Sequence, residues 1–169
     1  MRTLRLFAIT AALVLCLSAC AYAGSNASQN TESEHNGQGY AFFGPGALTG
    51  DGYTTGMAHI GGGGEILVYK GVGVGAEVGY FTPWRDFRNG IGIVSVDGSY
   101  HFNRTRKLSP FVTAGYSWGI RNGHVDLFNF GGGIHYWFHD RVGLRLEFRD
   151  HLYKDSDHFL SGRIGLSFR

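Results

Sequence analysis

The chain has 169 residues, of which 15% are aromatic and 17% charged, so its length suits one domain and its composition excludes a disordered protein. The formal net charge is only +2 and there is no dense run of lysine or arginine, which excludes the charge pattern of a nucleic-acid-binding protein. Both cysteines, Cys16 and Cys20, lie near the start, which excludes a disulfide pair in the rest of the chain.

The first 23 residues predict a secretory signal peptide. Arg2 and Arg5 give it a positive start, and an apolar stretch follows from Leu6 to Leu17. Ala21-Tyr22-Ala23 forms a small-residue cleavage site after that stretch. The apolar stretch is too short for a helical membrane span, which needs about 20 apolar residues. The sequence therefore predicts export.

Cys20 supports a second hypothesis for the start of the mature chain. Leu17-Ser18-Ala19-Cys20 resembles the lipobox of bacterial lipoproteins, in which the cysteine becomes the lipidated first residue. Cys20 is therefore either lipidated or removed with the signal peptide. Residues 24–38 are polar and without an apolar period, so we predict a flexible tether there. The folded domain is expected to cover residues 39–169.

The folded domain divides into segments of strand type with little helical periodicity. Strands are predicted at residues 40–47, 56–68, 72–81, 91–102, 110–119, 127–138, 142–152 and 159–168. Eight short strands at regular spacing, with turn residues between them, predict an antiparallel barrel or sandwich.

Period-two alternation separates two faces, as in "VGLRLEFR" at residues 142–149, where Val, Leu, Leu and Phe alternate with Gly, Arg, Glu and Arg. Along the other strands one face collects apolar residues without a Lys, Arg, Asp or Glu, and the other collects charged residues, histidines and many glycines. Glycine is costly on a solvated strand face but makes room for neighbours inside a narrow barrel. We therefore predict an eight-stranded antiparallel up-and-down transmembrane β-barrel of the all-β class, with the polar face inside.

The charged residues of the inner face predict an ion-pair network, because buried charges need partners. The network is expected to fill the lumen as a plug in which the arginines pair with the carboxylates, and its members are Glu65, Glu77, Asp97, Arg145, Glu147, Arg149 and Arg163.

The eight strands, the signal peptide and the last segment, "HFLSGRIGLSFR" at residues 158–169, resemble the small bacterial outer-membrane β-barrel proteins over about residues 39–169. The likeness is to the transmembrane domain of outer membrane protein A and the outer membrane protein beta-barrel domain family. In that family the last strand ends in an aromatic residue after alternating apolar residues and is recognised by the barrel-assembly machinery. Gly162, Ile164, Leu166 and Phe168 match this assembly signal, and Arg169 follows it. The resemblance implies the outer membrane of Gram-negative bacteria, with outer-membrane lipid, lipopolysaccharide and the assembly machinery as partners.

Two further clusters have a functional and a simpler interpretation. Asp150, His151, Asp155, Asp157 and His158 could bind a divalent cation, although we favour an ordinary solvated loop. The segment "TPWRDFRNG" at residues 82–90 contains the aromatic and cationic residues Trp84, Arg85, Phe87 and Arg88. These residues could contact lipopolysaccharide phosphates. We favour an interfacial aromatic belt, with arginine side chains that reach toward water.

An enzyme would need a nucleophile and a base together at the lipid-facing rim. The nearest pair, His158 and Ser161, falls on opposite faces of the last strand. We therefore predict a monomeric protein without catalytic, cofactor or metal site, with a structural or surface-interaction role. A lipid-modifying barrel enzyme and a soluble, lipid-anchored ligand-binding barrel are the alternatives.

Overall fold

Alternating residues form eight strands in the described part of the chain. The computed structural model describes residues 36–50, 52–103, 106–121, 123–153 and 157–169, so the predicted signal peptide, Cys20 and most of the tether lie outside it. The strands are β1 (Gly37–Gly50), β2 (Tyr53–Tyr69), β3 (Val72–Pro83), β4 (Ile91–His101), β5 (Leu108–Ile120), β6 (His124–Trp137), β7 (Val142–Tyr153) and β8 (Asp157–Phe168). Phe87–Asn89 forms a 3-10 turn between β3 and β4. No helix among the described residues is long and apolar enough to cross a membrane.

Each strand pairs antiparallel with the next, and β8 pairs antiparallel with β1, so the sheet closes into a barrel. The predicted eight-stranded fold is thus confirmed. Most strands are longer than predicted because ladder pairing continues into polar segments that were expected to be loops. Gly50 pairs with Tyr53, for example, so that residues 51 and 52 alone separate β1 from β2.

The apolar face is the outer wall of the barrel. Phe128 is 66% exposed and Phe148 is 56% exposed, whereas Arg145 and Arg149 are 4% and 1% exposed. The prediction that the polar face lies inside is confirmed by these values. The outer wall does carry acidic side chains where none was expected, because Asp126 and Asp150 lie in the outward phase of their strands.

The lumen is polar in its middle and apolar toward its ends. We define the loop end as the end where residues 51–52, 84–90, 121–123 and 154–156 connect the strands, and the turn end as the opposite one. Buried apolar residues fill the lumen at the loop end. We call them the loop-end cluster, and they are Met57, Phe81, Ile93 and Leu127. Leu67, Phe111 and Trp137 are buried toward the turn end. A barrel this narrow must be filled by side chains, and apolar ones need no partner.

Candidate functional site

Glu147 is the centre of the charged part of the lumen. Alternation along β7 turns Arg145, Glu147 and Arg149 inward together, and the register of β8 places Arg163 directly opposite Glu147. Arg145 Nε lies 2.7 Å from Glu147 Oε2, and Arg149 Nε lies 2.8 Å from Oε1. Arg163 Nη2 lies 2.5 Å from the same Oε1. One carboxylate therefore accepts from three guanidinium groups.

Two carboxylates from the far wall of the barrel complete this network. Arg163 Nη1 donates to Glu77 Oε1 at 2.6 Å, and Arg149 Nη1 donates to Asp97 Oδ2 at 2.7 Å. Three arginines thus meet three carboxylates, and every side chain of the set is at most 7% exposed. The formal charges balance, as the desolvation of buried ions requires. We call these residues the central network: Glu77, Asp97, Arg145, Glu147, Arg149 and Arg163.

Glu65 lies apart from the central network, although the sequence analysis grouped it with the arginines. Gln38 Nε2 donates to its Oε2 at 2.6 Å, and His101 Nε2 lies 2.9 Å from its Oε1. The Ser99 hydroxyl also donates to Oε1. Among the described residues, Glu65 forms its ion pair with His101. The lumen therefore holds a second, smaller polar cluster toward the turn end.

Sequence reasoning missed the aromatic members of the site. Tyr40 Oη donates to Glu77 Oε2 at 3.0 Å, and the Arg145 guanidinium lies 4.1 Å from the Tyr40 ring centroid. The Arg163 guanidinium lies 4.1 Å from the centroid of Phe42. These two aromatic residues pair in register with Gly63 and Gly61, and a Cβ at Gly63 would stand 2.9 Å from Tyr40 Oη. Aromatic residues opposite glycines were the signal that could have identified them.

The lumen contains a small cavity. A cavity of about 20 Å³ lies near the turn end, lined in part by His101, His135 and Trp137. Such a volume holds about one water molecule.

Known proteins resemble this chain in structure only. No protein-family model and no curated protein sequence matches it. Neisserial surface protein A matches with a TM-score of 0.64 at 7% identity, over 79% of this chain and 96% of that one. The N-terminal β-barrel domain of Pseudomonas aeruginosa OprF matches with a TM-score of 0.59 at 17% identity, over 79% and 98%.

A third match comes from a protein of Yersinia pestis. Ail, the attachment invasion locus protein, has a TM-score of 0.54 at 12% identity, over 79% of this chain and 97% of that one. The whole closed barrel is therefore shared with several chains of the same kind. This chain has the fold of the small outer-membrane β-barrels. At such identities the likeness establishes the fold and leaves the task of the protein open.

The residues of the predicted cation-binding cluster, residues 150–158, do not lie together in the barrel. His151 points into the lumen and is fully buried, whereas Asp150 and His158 face outward and contact each other, with 2.9 Å between Asp150 Oδ2 and His158 Nδ1. Asp157 accepts from the Tyr53 hydroxyl at 3.2 Å, and Asp155 lies outside the described residues. Across the described ranges, no three histidine, cysteine or acidic side chains are grouped to hold a metal ion.

The aromatic and cationic residues between β3 and β4 form an exposed patch on the barrel. Asp86 accepts from the backbone N–H of Arg88 at 3.2 Å and starts the 3-10 turn. The Trp84 ring packs edge-on against Phe43 of the outer wall, with centroids 5.9 Å apart. Arg85 and Phe87 are exposed beside it. This geometry suits a site at the membrane–water boundary.

The pairing of His158 with Ser161 does not form. Ser161 faces the lumen and donates to the Arg149 carbonyl oxygen at 3.3 Å, whereas His158 lies on the outer wall.

The proposed assembly-signal residues share the outer face of β8, and they are Gly162, Ile164, Leu166 and Phe168. Arg169 packs over the Trp137 ring at 4.2 Å and donates Nε to the Asp140 carbonyl oxygen at 2.9 Å.

Proposed function

We propose that this chain is a non-enzymatic protein of the bacterial outer membrane, with a structural or surface-interaction role and a lumen plugged by the central network. One observation carries the proposal. A charge-balanced set of buried arginines and carboxylates stands inside a barrel whose outer wall is apolar. Such a molecule has its hydrophobic surface where lipid would lie and its charges where lipid cannot reach.

The plug follows from the way each guanidinium is held. Arg149 contacts Glu147 and Asp97 and lies 3.8 Å from Glu77, so it bridges three carboxylates. Arg163 contacts Glu147 and Glu77 and bridges two. A hydrated ion that moved through the barrel would have to separate these pairs. Breaking a buried pair leaves an uncompensated charge, which is strongly unfavourable. The network therefore favours a closed barrel over a conducting one.

Partners of the barrel follow from its surface and its proposed location. The outer wall would contact outer-membrane lipid, and the exposed guanidiniums of Arg85 and Arg88 suit the phosphates of lipopolysaccharide. Residues 1–23 would direct export, with Cys20 lipidated or removed, and residues 24–38 would form a tether. The barrel-assembly machinery would recognise the last strand. The barrel closes on its own strands, so we propose a monomer.

Localisation tests this proposal. When the full chain is expressed in a Gram-negative host, it should fractionate with the outer membrane and need detergent for extraction. Unheated protein should migrate faster in gel electrophoresis than boiled protein, because the closed barrel resists unfolding. Mass spectrometry of the extracted chain should find either Gly24 or an acylated Cys20 as the first residue. Detergent-free solubility with identical migration before and after boiling would refute the outer-membrane proposal.

The role of the last strand in assembly is tested by Phe168→Ala. We expect a lower yield of folded protein in the outer membrane, because the change removes the terminal aromatic residue of β8. Phe138→Ala is the matched control, since Phe138 and Phe168 are exposed outer-wall aromatics near the turn end, at 54% and 47%. Both variants lose similar contact with lipid, so a larger defect for Phe168→Ala isolates recognition. Equal yields of the two variants would contradict the assembly role.

A further inference from the structure

Basic side chains surround the turn end of the barrel. Residues 70–71, 102–107 and 138–141 connect the strands there. Each of these connections carries at least one exposed cation, and because they follow β2, β4 and β6 they are spaced around the whole circumference. We call the four described cations the basic rim, and they are Lys70, Arg106, Lys107 and Arg141.

The charges of the basic rim are not balanced locally. Asp140 is the one acidic residue in the sequence of the three connections. Across the described residues, no carboxylate forms an ion pair with any of the four cations. The connections of the loop end hold a nearly balanced set in their sequence, which is Arg85, Arg88, Arg121 and Lys154 against Asp51, Asp86 and Asp155. The turn end is therefore the more basic end of the barrel.

The backbone at Lys70 indicates that its charge has a use. Lys70 and Gly71 form the two-residue turn between β2 and β3, with φ of 38° and 91°. Positive φ at both positions of such a turn favours asparagine and glycine, and a lysine there is uncommon. A residue that is unfavourable for its own backbone points to a function of its side chain.

Exposed aromatic residues set the depth of the basic rim in a membrane. Tyr69, Phe102 and Phe138 stand at the ends of β2, β4 and β6, and they are 65%, 44% and 54% exposed. Aromatic residues of a membrane barrel form a belt where hydrocarbon meets the headgroups. Cations that follow this belt along the chain therefore lie at the level of the lipid phosphates. Lys70 follows Tyr69 directly, and its Nζ lies 5.2 Å from the centroid of the Tyr69 ring.

We propose that the basic rim binds the headgroup phosphates of anionic phospholipids, such as phosphatidylglycerol. Its ammonium and guanidinium groups donate charge-assisted hydrogen bonds to the phosphate oxygens. A zwitterionic headgroup offers the same phosphate but carries its own counter-charge, so it gains less from cations that lack a carboxylate partner. The inference rests on the proposed membrane location and adds to it a lipid class and the end of the barrel that this lipid contacts.

Lipid retention tests the inference. The full chain is folded into vesicles with equal amounts of phosphatidylglycerol and phosphatidylcholine and extracted in mild detergent, and the retained lipids are measured by mass spectrometry. We expect at least about fivefold more phosphatidylglycerol, the effect of about one cation at an anionic membrane surface. Extraction in about 1 M instead of 0.1 M salt should lower this preference, because the Debye length falls from about 10 to about 3 Å.

Two triple variants with the same change in net charge separate the two ends. The rim variant carries Lys70→Gln, Lys107→Gln and Arg141→Gln, and it should lose most of the preference. The control variant neutralises three cations of the loop end, and its changes are Arg85→Gln, Arg88→Gln and Arg121→Gln. All six side chains are exposed and lie outside the strands, so both variants should fold like the native chain. The control variant should keep most of the preference.

Asp140→Asn should increase the preference for phosphatidylglycerol by up to about fivefold, because it removes a negative charge from the turn end. Its backbone carbonyl oxygen still accepts from Arg169 Nε, and the side chain is exposed, so the barrel should be unaffected. Damage to the structure would not produce such a gain. An unchanged or smaller preference in Asp140→Asn would contradict the inference.

Other contrary outcomes have distinct meanings. Equal retention of the two lipids by a chain that folds into vesicles overturns this inference and leaves the membrane location standing. Equal losses in the two triple variants would assign the preference to net charge and not to the basic rim. If the rim variant loses added lipopolysaccharide but keeps phosphatidylglycerol, the turn end contacts lipopolysaccharide instead. Soluble polyglutamate that binds the native chain but not the rim variant, without any lipid preference, would indicate an acidic protein partner. Failure to enter vesicles would refute the location as well.

Discussion

Glu147→Gln should lower the free energy of unfolding of the barrel by about 3–5 kcal/mol, the usual cost of removing one partner from a buried ion pair. Glu147 accepts from Arg145, Arg149 and Arg163 at 2.7, 2.8 and 2.5 Å. Glutamine has nearly the same side-chain volume as glutamate but is neutral. The three guanidinium groups around it would therefore lose a shared counter-charge. Urea unfolding in lipid vesicles, followed by tryptophan fluorescence, measures the difference.

Glu65→Gln is the matched control for this experiment. Glu65 is also a buried glutamate of the lumen, but its hydrogen bonds come from Gln38, Ser99 and His101. Among the described residues its ion pair is with His101 and not with a guanidinium, so we expect a clearly smaller loss of stability when Glu65 becomes neutral. If the two variants unfold at the same urea concentration, the central network does not stabilise the barrel in the way described.

Leu146→Arg should cost about 2–4 kcal/mol of folding free energy in vesicles, the range for arginine on the lipid face of a membrane barrel near the bilayer midplane. Leu146 lies near the middle of β7 on the outer wall and is 43% exposed. Leu146→Phe keeps an apolar side chain at the same position and should change stability little. Urea titration of the three proteins in the same vesicles provides the comparison.

Arg145→Leu makes the reciprocal change on the next residue. On a solvated face such a substitution stays within about 0.5 kcal/mol. Arg145 instead contacts Glu147 and lies 2.9 Å from His135 Nε2, so its loss should cost several times more. A negligible effect of Arg145→Leu, combined with native solubility in the absence of detergent, would place the charged face outside and overturn the membrane assignment.

The fold was predictable because period two and glycine placement both depend on local sequence. Alternation in β7 assigns Arg145, Glu147 and Arg149 to one face whatever the neighbouring strands do. The partners of these residues depend on closure, since Asp97 reaches Arg149 from β4 on a distant part of the wall. Alternation within one strand shows whether a residue faces the lumen or the outside. It does not show which residues of other strands lie across the lumen from it. For this reason Glu65 was grouped with the arginines, whereas its ion pair among the described residues is with His101.

The apolar loop-end cluster was missed for another reason. Phe81 continues the inward phase of Glu77, and Met57 continues that of His59, so alternation alone would have placed both inside the barrel. The sequence analysis assigned residues to the inner face by their polarity, so it did not place Phe81 and Met57 there. The outward position of Asp150 was missed for the same reason. Its place in the alternation of β7 directs it outward, although its charge suggests an inward position. Phase is thus a better guide to the inner face of this barrel than polarity.

Apart from residues 84–90, the connections at the loop end are short, and this determines what that end presents to its surroundings. Ladder pairing persists to Gly50 with Tyr53 and to Ile120 with His124, so strand ends form much of that rim. Fixing one backbone residue on binding costs about 1–2 kcal/mol in conformational entropy. Residues already held in the ladder have largely lost that freedom before any encounter. A partner that docks on these strand ends would therefore meet a preorganised template, and its affinity would depend on shape and charge more than on ordering.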